Sequence, residues 1–132
     1  MDIKVEDVLA CKPDCAAGAA IEAKGETVGV NKTKMEMRSV IPLAILAGIF
    51  IGLGALFMTY VKADPTLPFA ASSVLGGLVF SLGLICVVVA GAELFTGNSL
   101  MVMAALSKKI SWGSLVKNWV VVWVFNLVGS LI

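Results

Sequence analysis

The sequence predicts an all-α membrane protein, and two observations support this class. Hydrophobic residues make up 59% of the 132-residue chain and charged residues only 14%, whereas soluble domains are about half apolar and about a quarter charged. Nearly every charge also lies outside three long apolar blocks. The blocks predict a lipid bilayer as the surroundings, and the formal net charge of +1 gives no indication of a nucleic-acid partner.

Residues 1–34 are predicted to form a polar leader on the cytoplasmic side. No secretory signal peptide is visible, because the first apolar block begins only near Val40. The stretch "VEDVLACK" has the length of one or two helical turns and predicts a surface helix. The stretch "GETVGVNKTK", residues 25–34, has the composition of a loop.

The first span is predicted at about residues 39–61. This run, "SVIPLAILAGIFIGLGALFMTYV", has no charge, and its helix of about 35 Å exceeds the ~30 Å hydrocarbon thickness. Pro42 is expected in the first turn, where its missing N–H does no harm. Small residues recur every fourth position here and again in the second block, which favours close helix contacts. They are Ala44, Gly48 and Gly52, then Ser73, Gly77 and Ser81.

The second apolar block, residues 67–106, predicts a span that is broken near residues 93–98. As one helix it would be ~60 Å long, twice the thickness of the bilayer core. Two complete spans do not fit either, because only eight residues follow the polar interruption, from Ser99 to Leu106. Unpaired backbone groups are costly in lipid, so the irregular link should face the protein interior beside a path for a small solute.

The residues of this break favour a negatively charged ligand. A helix that begins near Ser99 directs free N–H groups and the positive end of its dipole toward the break. Thr96, Asn98 and Ser99 can cap this helix or donate a hydrogen bond, and Gly97 permits a left-handed turn. The alternative is a structural kink whose polar groups satisfy one another.

Glu93 is the only charged residue of the second block. A carboxylate within a bilayer is costly unless it is paired, hydrogen-bonded or protonated. We therefore interpret Glu93 as a structural acceptor that holds the amides of the link in place. Gly91 and Ser99 are expected to have structural roles at the two ends of the break.

The third apolar block predicts an incomplete span at residues 117–132. From Trp119 to Ile132 a helix would measure ~21 Å, which is too short to cross, so we expect the chain to be part of a longer protein. Lysine and arginine residues precede the first span and occupy the basic, amphipathic link 107–118. The positive-inside rule therefore predicts a cytoplasmic N-terminus and an external turn at 64–68.

No catalytic, metal or cofactor site is predicted. The chain has three cysteines and no histidine, whereas a structural zinc site needs four Cys or His ligands at recognisable spacings. Cys86 is interpreted as a small buried hydrophobic residue, and the role of Cys11 and Cys15 stays open. No nucleophile–base pair is present, so an enzyme is not expected.

One ten-residue segment resembles a known family signature. "VVAGAELFTG", Val88 to Gly97, is similar to the signature of the formate/nitrite transporter family, with the small-acidic-Leu-Phe-Thr core at residues 92–96. The surrounding stretches "LPF", "GGLVFSLGLI", "ISWGSLVKNW" and "NLVGSL" resemble the family too. The resemblance covers about residues 36–132.

The resemblance implies an aquaporin-like helical bundle of six helices in two inverted halves, assembled as a homopentamer in the inner or plasma membrane. Residues 35–132 would be the N-terminal half, with about three spans. Each protomer would conduct small monovalent anions such as formate, nitrite, hydrosulfide or lactate. Thr96 would face the pore, and Phe80, Leu84, Leu94 and Phe95 would form apolar constrictions.

The family pattern also requires a pore histidine on the fifth helix and a lysine on the fourth, and this sequence does not extend that far. The implied mechanism protonates the anion, so that a neutral acid passes the constrictions. Two alternatives stay open: a pore for neutral solutes such as water, glycerol or ammonia, and a half-length membrane scaffold. The identity of the anion and the choice between channel and proton-coupled transport also stay open.

Overall fold

The computed structural model describes residues 18–132. The predicted surface helix "VEDVLACK", Cys11 and Cys15 lie outside the described residues. Within 18–132 the chain is helical and contains no strand. The helices are α1 (Gly18–Lys34), α2 (Met37–Ala63), α3 (Phe69–Val89), α4 (Phe95–Asn98), a 3₁₀ turn (Ser99–Met101), α5 (Val102–Leu106) and α6 (Trp112–Ser130).

Helices α2 and α3 are long and apolar enough to cross a membrane. They have 27 and 21 residues and mean hydropathies of 2.5 and 2.4. The outer face of α3 is exposed, and it includes Cys86, which was expected to be buried. The reason is that α3 packs along a single side against α2 and leaves its remaining apolar surface uncovered.

Helix α2 begins earlier than predicted. Glu36 has an extended backbone and lies before the first helical residue, Met37. Its carbonyl accepts hydrogen bonds from the N–H groups of Ser39 and Val40. Pro42 therefore lies in the second turn rather than the first, where its missing N–H leaves the carbonyl of Arg38 without the usual helical donor.

Helices α2 and α6 contact each other through glycine. A Cβ atom at Gly48 would lie 2.1 Å from the carbonyl oxygen of Asn126, and one at Gly129 would lie 2.0 Å from that of Ile45. Beside this contact Ala44 packs with Val40 and Val122 in a buried cluster. The predicted small-residue contact surface of α2 is confirmed, and backbone atoms provide much of the contact.

The contact of α3 with α2 uses different small residues from those predicted. Gly83 packs on α2, since an added Cβ would lie 2.6 Å from the Phe50 carbonyl oxygen, and Gly54 packs on α3 in return. A helix contact through Ser73, Gly77 and Ser81 was predicted. This prediction was wrong at Gly77, the middle residue, because no atom lies within 4 Å of a Cβ added there. The buried stripe of α3 consists of Gly76, Gly83 and Val87.

Helix α6 has 19 residues, or about 28 Å, and it begins within the predicted link 107–118, while the membrane boundaries of the predicted span 117–132 stay a prediction. Ser111 caps the helix by accepting a hydrogen bond from the Ser114 N–H at 3.2 Å. The link, which was predicted as basic and amphipathic, also contains polar residues. One of them, Asn118, is buried in the helix and is hydrogen-bonded there.

Helix α1 includes the segment 25–34, for which a loop was predicted. Its inner face packs on the 3₁₀ turn and α5, where a Cβ at Gly29 would lie 2.9 Å from the Cβ of Ala104. Glu26, one turn earlier, is buried and pairs with Lys109 at 2.6 Å and with the Ser107 hydroxyl. Tertiary contacts therefore stabilise a helix whose composition is that of a loop.

The pairing of Glu26 predicts a pH dependence for the docking of α1. Hydrogen bonds from Lys109 and then Ser107 lower the pKa of the Glu26 carboxyl from its ordinary value. The lowered pKa adds stability at pH values above the unfolded pKa, and this stability is lost as the pH falls through the folded one. We expect the protection of α1 amides, relative to their intrinsic exchange rates at each pH, to fall once the pH drops below the pKa of the unfolded carboxyl, and Glu26→Gln to abolish that fall.

Glu22→Gln is the control, because Glu22 is exposed one turn before Glu26 on the same helix. Hydrogen exchange detected by mass spectrometry on peptides of α1 measures both variants. An unchanged pH profile in Glu26→Gln, or the same loss in Glu22→Gln, would contradict the assignment.

Candidate functional site

Helix α3 ends in a Schellman motif that turns the chain out of the helix. The Gly91 N–H donates to the Val88 carbonyl at 3.2 Å, and the Ala92 N–H donates to the Val87 carbonyl at 3.0 Å. Gly91 has a φ of 60°, the left-handed conformation that this motif requires and that glycine adopts without a Cβ penalty. The left-handed turn was predicted at Gly97, but Gly97 is helical.

The interruption covers residues 90–94, earlier than the predicted 93–98. Leu94 is extended, with φ −104° and ψ 134°, and Phe95 already begins α4. The predicted capping of a helix that begins near Ser99 was wrong, since neither the 3₁₀ turn at Ser99 nor α5 has a side-chain cap, and the Ser99 hydroxyl donates to the Thr96 carbonyl at 2.6 Å. The polar side chains of Thr96, Asn98 and Ser99 therefore lie within helical turns.

Glu93 is 4% exposed and lies in a dense set of hydrogen bonds. Both carboxylate oxygens lie 2.7 Å from Lys32 Nζ, and Oε2 also accepts from Asn98 Nδ2 at 2.9 Å. The partners were expected to be amides of the link, whereas they are two side chains. The reason is that α1 packs beside the interruption and supplies a cation.

Asn98 connects this ion pair to α6. Its Oδ1 accepts from Lys32 Nζ at 2.7 Å, and its Nδ2 donates to Asn118 Oδ1 at 2.8 Å. Its carbonyl accepts from Trp119 Nε1 at 2.9 Å. The side chain of Asn98 is fully buried, so a network from Lys32 to Asn118 satisfies the polar groups around Glu93.

Asn126 of α6 makes a second connection to the interruption. Its Oδ1 accepts from the Phe95 N–H at 2.9 Å, and its Nδ2 donates to the Glu93 carbonyl at 2.9 Å. Nδ2 also donates to the Ala44 carbonyl of α2 at 2.7 Å. The Glu93 N–H donates to the Leu43 carbonyl at 3.2 Å. The irregular backbone is thus bonded to α2 and α6.

Two clefts lie beside the interruption. The first has a volume of ≈ 290 Å³, and the second, between the interruption and helices α2 and α6, has a volume of ≈ 270 Å³. Leu94 and Thr96 line both clefts. The first cleft is lined by Lys32, Leu84, Val87, Val88, Gly91, Ala92, Glu93, Leu94, Thr96 and Gly97.

Most of the residues predicted for the site lie close together. Leu84, Gly91, Glu93 and Gly97 line the first cleft, and Phe95 lines the second. Phe80, which was expected at a constriction, lines neither of them. Sequence reasoning missed Lys32, Asn118 and Asn126. The spacing of Glu26, Gly29 and Lys32 on one face of α1 could have indicated Lys32, had the segment been recognised as a helix.

Comparison with known proteins gives matches over most of the chain. The family model described as "Formate/nitrite transporter" matches residues 19–132. "Formate channel FocA" of Escherichia coli strain K12 is 42% identical over 120 residues, which cover 90% of this chain and 42% of that protein. "Uncharacterized transporter YrhG" of Bacillus subtilis is 47% identical over 122 residues, covering 91% and 44%.

A third relative is "Probable formate transporter" of Methanothermobacter thermautotrophicus, which is 42% identical over 104 residues, covering 76% of this chain and 38% of that protein. The chain therefore spans about two fifths of the length of the curated relatives that it matches.

Proposed function

Because the chain belongs to the formate/nitrite transporter family, we propose that it forms the N-terminal half of a membrane channel for a small monovalent weak-acid anion. Relatives described as a formate channel and a probable formate transporter support formate as the first substrate to test. Nitrite and hydrosulfide have the same charge and similar size, so they belong to the same proposal. In this proposal the irregular segment 90–94 lies beside the pore.

The observation that carries the proposal is the asymmetric exposure of the buried ion pair. Both side chains line the first cleft, and that of Lys32 is 20% exposed whereas that of Glu93 is 6% exposed. Lys32 is therefore the more accessible member of the pair, and its ammonium is hydrogen-bonded to both Glu93 oxygens and to Asn98 Oδ1. We infer that a small anion in the cleft approaches the cation of the pair more readily than the carboxylate, in a partly desolvated site where electrostatic interactions are stronger than in water.

The other residues that line the two clefts suit a small solute that passes in its neutral, protonated form. Thr96 can offer a hydroxyl between the two clefts, and Leu94 supplies an apolar surface at the same level. Burying a bare ion between apolar side chains is costly, whereas the neutral acid avoids that cost. This favours proton-linked passage, with the proton donor outside these 132 residues.

The architecture that we propose has α2, the interrupted segment 69–106 and α6 as three membrane spans of an aquaporin-like protomer. The protomer would belong to a homopentamer in the inner or plasma membrane. The lysines of α1 and of the turn before α6 favour a cytoplasmic location for the N-terminus.

Flux measurements on liposomes test this function. We expect the protein expressed from its complete coding sequence to pass formate, nitrite or hydrosulfide, with a rate that depends on pH between 5 and 8. Glycerol and water are the neutral controls. Passage of these controls with no anion flux would favour the neutral-solute pore, and no flux of either class would favour a scaffold.

A further inference from the structure

Asn126 binds the two peptide groups on either side of Leu94. In an extended segment, the carbonyl before a residue and the N–H after it point to the same side, as in a β-ladder. A neighbouring strand would satisfy such a pair of groups with its own donor and acceptor. The carboxamide of Asn126 carries one of each and binds the Glu93 carbonyl and the Phe95 N–H, both at 2.9 Å.

The conformation of Leu94 therefore depends on a side chain of another helix. Leu94 is extended between two helical segments, and the sequence around it contains no residue that requires this conformation. Asn126 is further held by its bond to the Ala44 carbonyl at 2.7 Å. It couples the position of Leu94 to the packing of α2 against α6.

We propose that Asn126 is the positioning residue that sets the passage between the two clefts and thereby determines which small anions pass. The inference rests on the proposed function, and it follows from the place of Leu94. Leu94 and Thr96 line both clefts, so they form the partition between them. The partition keeps its shape only while the peptide groups on either side of Leu94 are held by Asn126, which itself lines the second cleft.

This position requires both a hydrogen-bond donor and an acceptor, and the carboxamide of asparagine provides both. An aspartate would keep an acceptor for the Phe95 N–H but would lose the donor and would place a charge against the carbonyls of Glu93 and Ala44. Leu94 would then shift and change the width of the partition. A polar residue that only held helices together would alter the amount of folded protein without altering the preference among anions.

The test is the ratio of formate flux to lactate flux in liposomes, at equal amounts of folded protein. We expect both Asn126→Asp and the uncharged Asn126→Ala to change this ratio at least fivefold. Leu115→Ala is the control, because Leu115 is a buried residue of the same helix that packs on Met101 and Ala105 and lines neither cleft, so its replacement loosens the packing of α6 without changing the site. We expect a change of less than twofold in the control. Equal ratios in wild type and Asn126→Asp would overturn the proposal.

Amide exchange gives a second measurement that does not depend on transport. Asn126→Ala removes the acceptor of the Phe95 N–H, so we expect this amide to exchange at least tenfold faster than in wild type or Leu115→Ala. Unchanged exchange would overturn the positioning role. If wild type passes neither formate nor lactate, the proposed function fails, and the exchange of Phe95 still decides whether Asn126 positions the segment.

Discussion

Replacing Lys32 with methionine is expected to destabilise the protein by about 3 kcal/mol, the cost of removing one partner from a buried ion pair. Glu93, which is 4% exposed, would keep only the hydrogen bond from Asn98 Nδ2. Its charge would then be buried without a cation. Thermal unfolding in detergent, followed by tryptophan fluorescence, measures the loss, and anion flux in liposomes should fall with it.

Lys34→Met is the matched control for this substitution. Lys34 lies two positions later on α1 and is exposed, so its replacement should change stability by less than about 0.5 kcal/mol. The double variant Lys32→Met with Glu93→Gln should be more stable than Lys32→Met alone, because no uncompensated carboxylate remains. A double variant that is less stable than the single one, or an equal loss in Lys34→Met, would refute the pairing as the cause.

The existence of the interruption could be predicted from the sequence, but its position could not. A block of 40 residues with one carboxylate is too long for one span and too short for two, and this follows from length alone. The segment offers glycines at Gly91 and Gly97, and both satisfy the local requirement for a turn. The structure uses Gly91, because the bonds of Asn98 and Asn126 hold the following residues in a helical turn.

The partner of Glu93 could not be predicted for a different reason. A buried carboxylate must be paired, so a partner was required, but Lys32 lies 61 positions earlier in a segment without a clear apolar stripe. Helix α1 is stabilised by its docking through Gly29 and Glu26 rather than by its own composition. Local sequence patterns do not predict such a helix, because the contacts that dock it, with Ala104 and Lys109, are made to residues far away in the sequence.

The second large effect is expected for Gly48→Ala, which should destabilise the contact of α2 with α6. The added Cβ would lie 2.1 Å from the carbonyl oxygen of Asn126 and 2.9 Å from the Cα of Gly129. These are backbone atoms, so relief requires that the helices separate. Overpacking of this kind costs typically 1–3 kcal/mol, occasionally more. Thermal unfolding of the purified protein measures it.

Gly77→Ala is the control, since Gly77 is also helical and nothing lies within 4 Å of an added Cβ. Alanine there should be neutral or stabilising by up to about 1 kcal/mol, because glycine is the weaker helix former.

Gly48→Ala should also speed the amide exchange of Phe95, because displacement of α6 moves Asn126 away from the interruption. Loss of stability without a change at Phe95 would show that helix packing and the irregular segment are independent, contrary to the coupling that Asn126 provides.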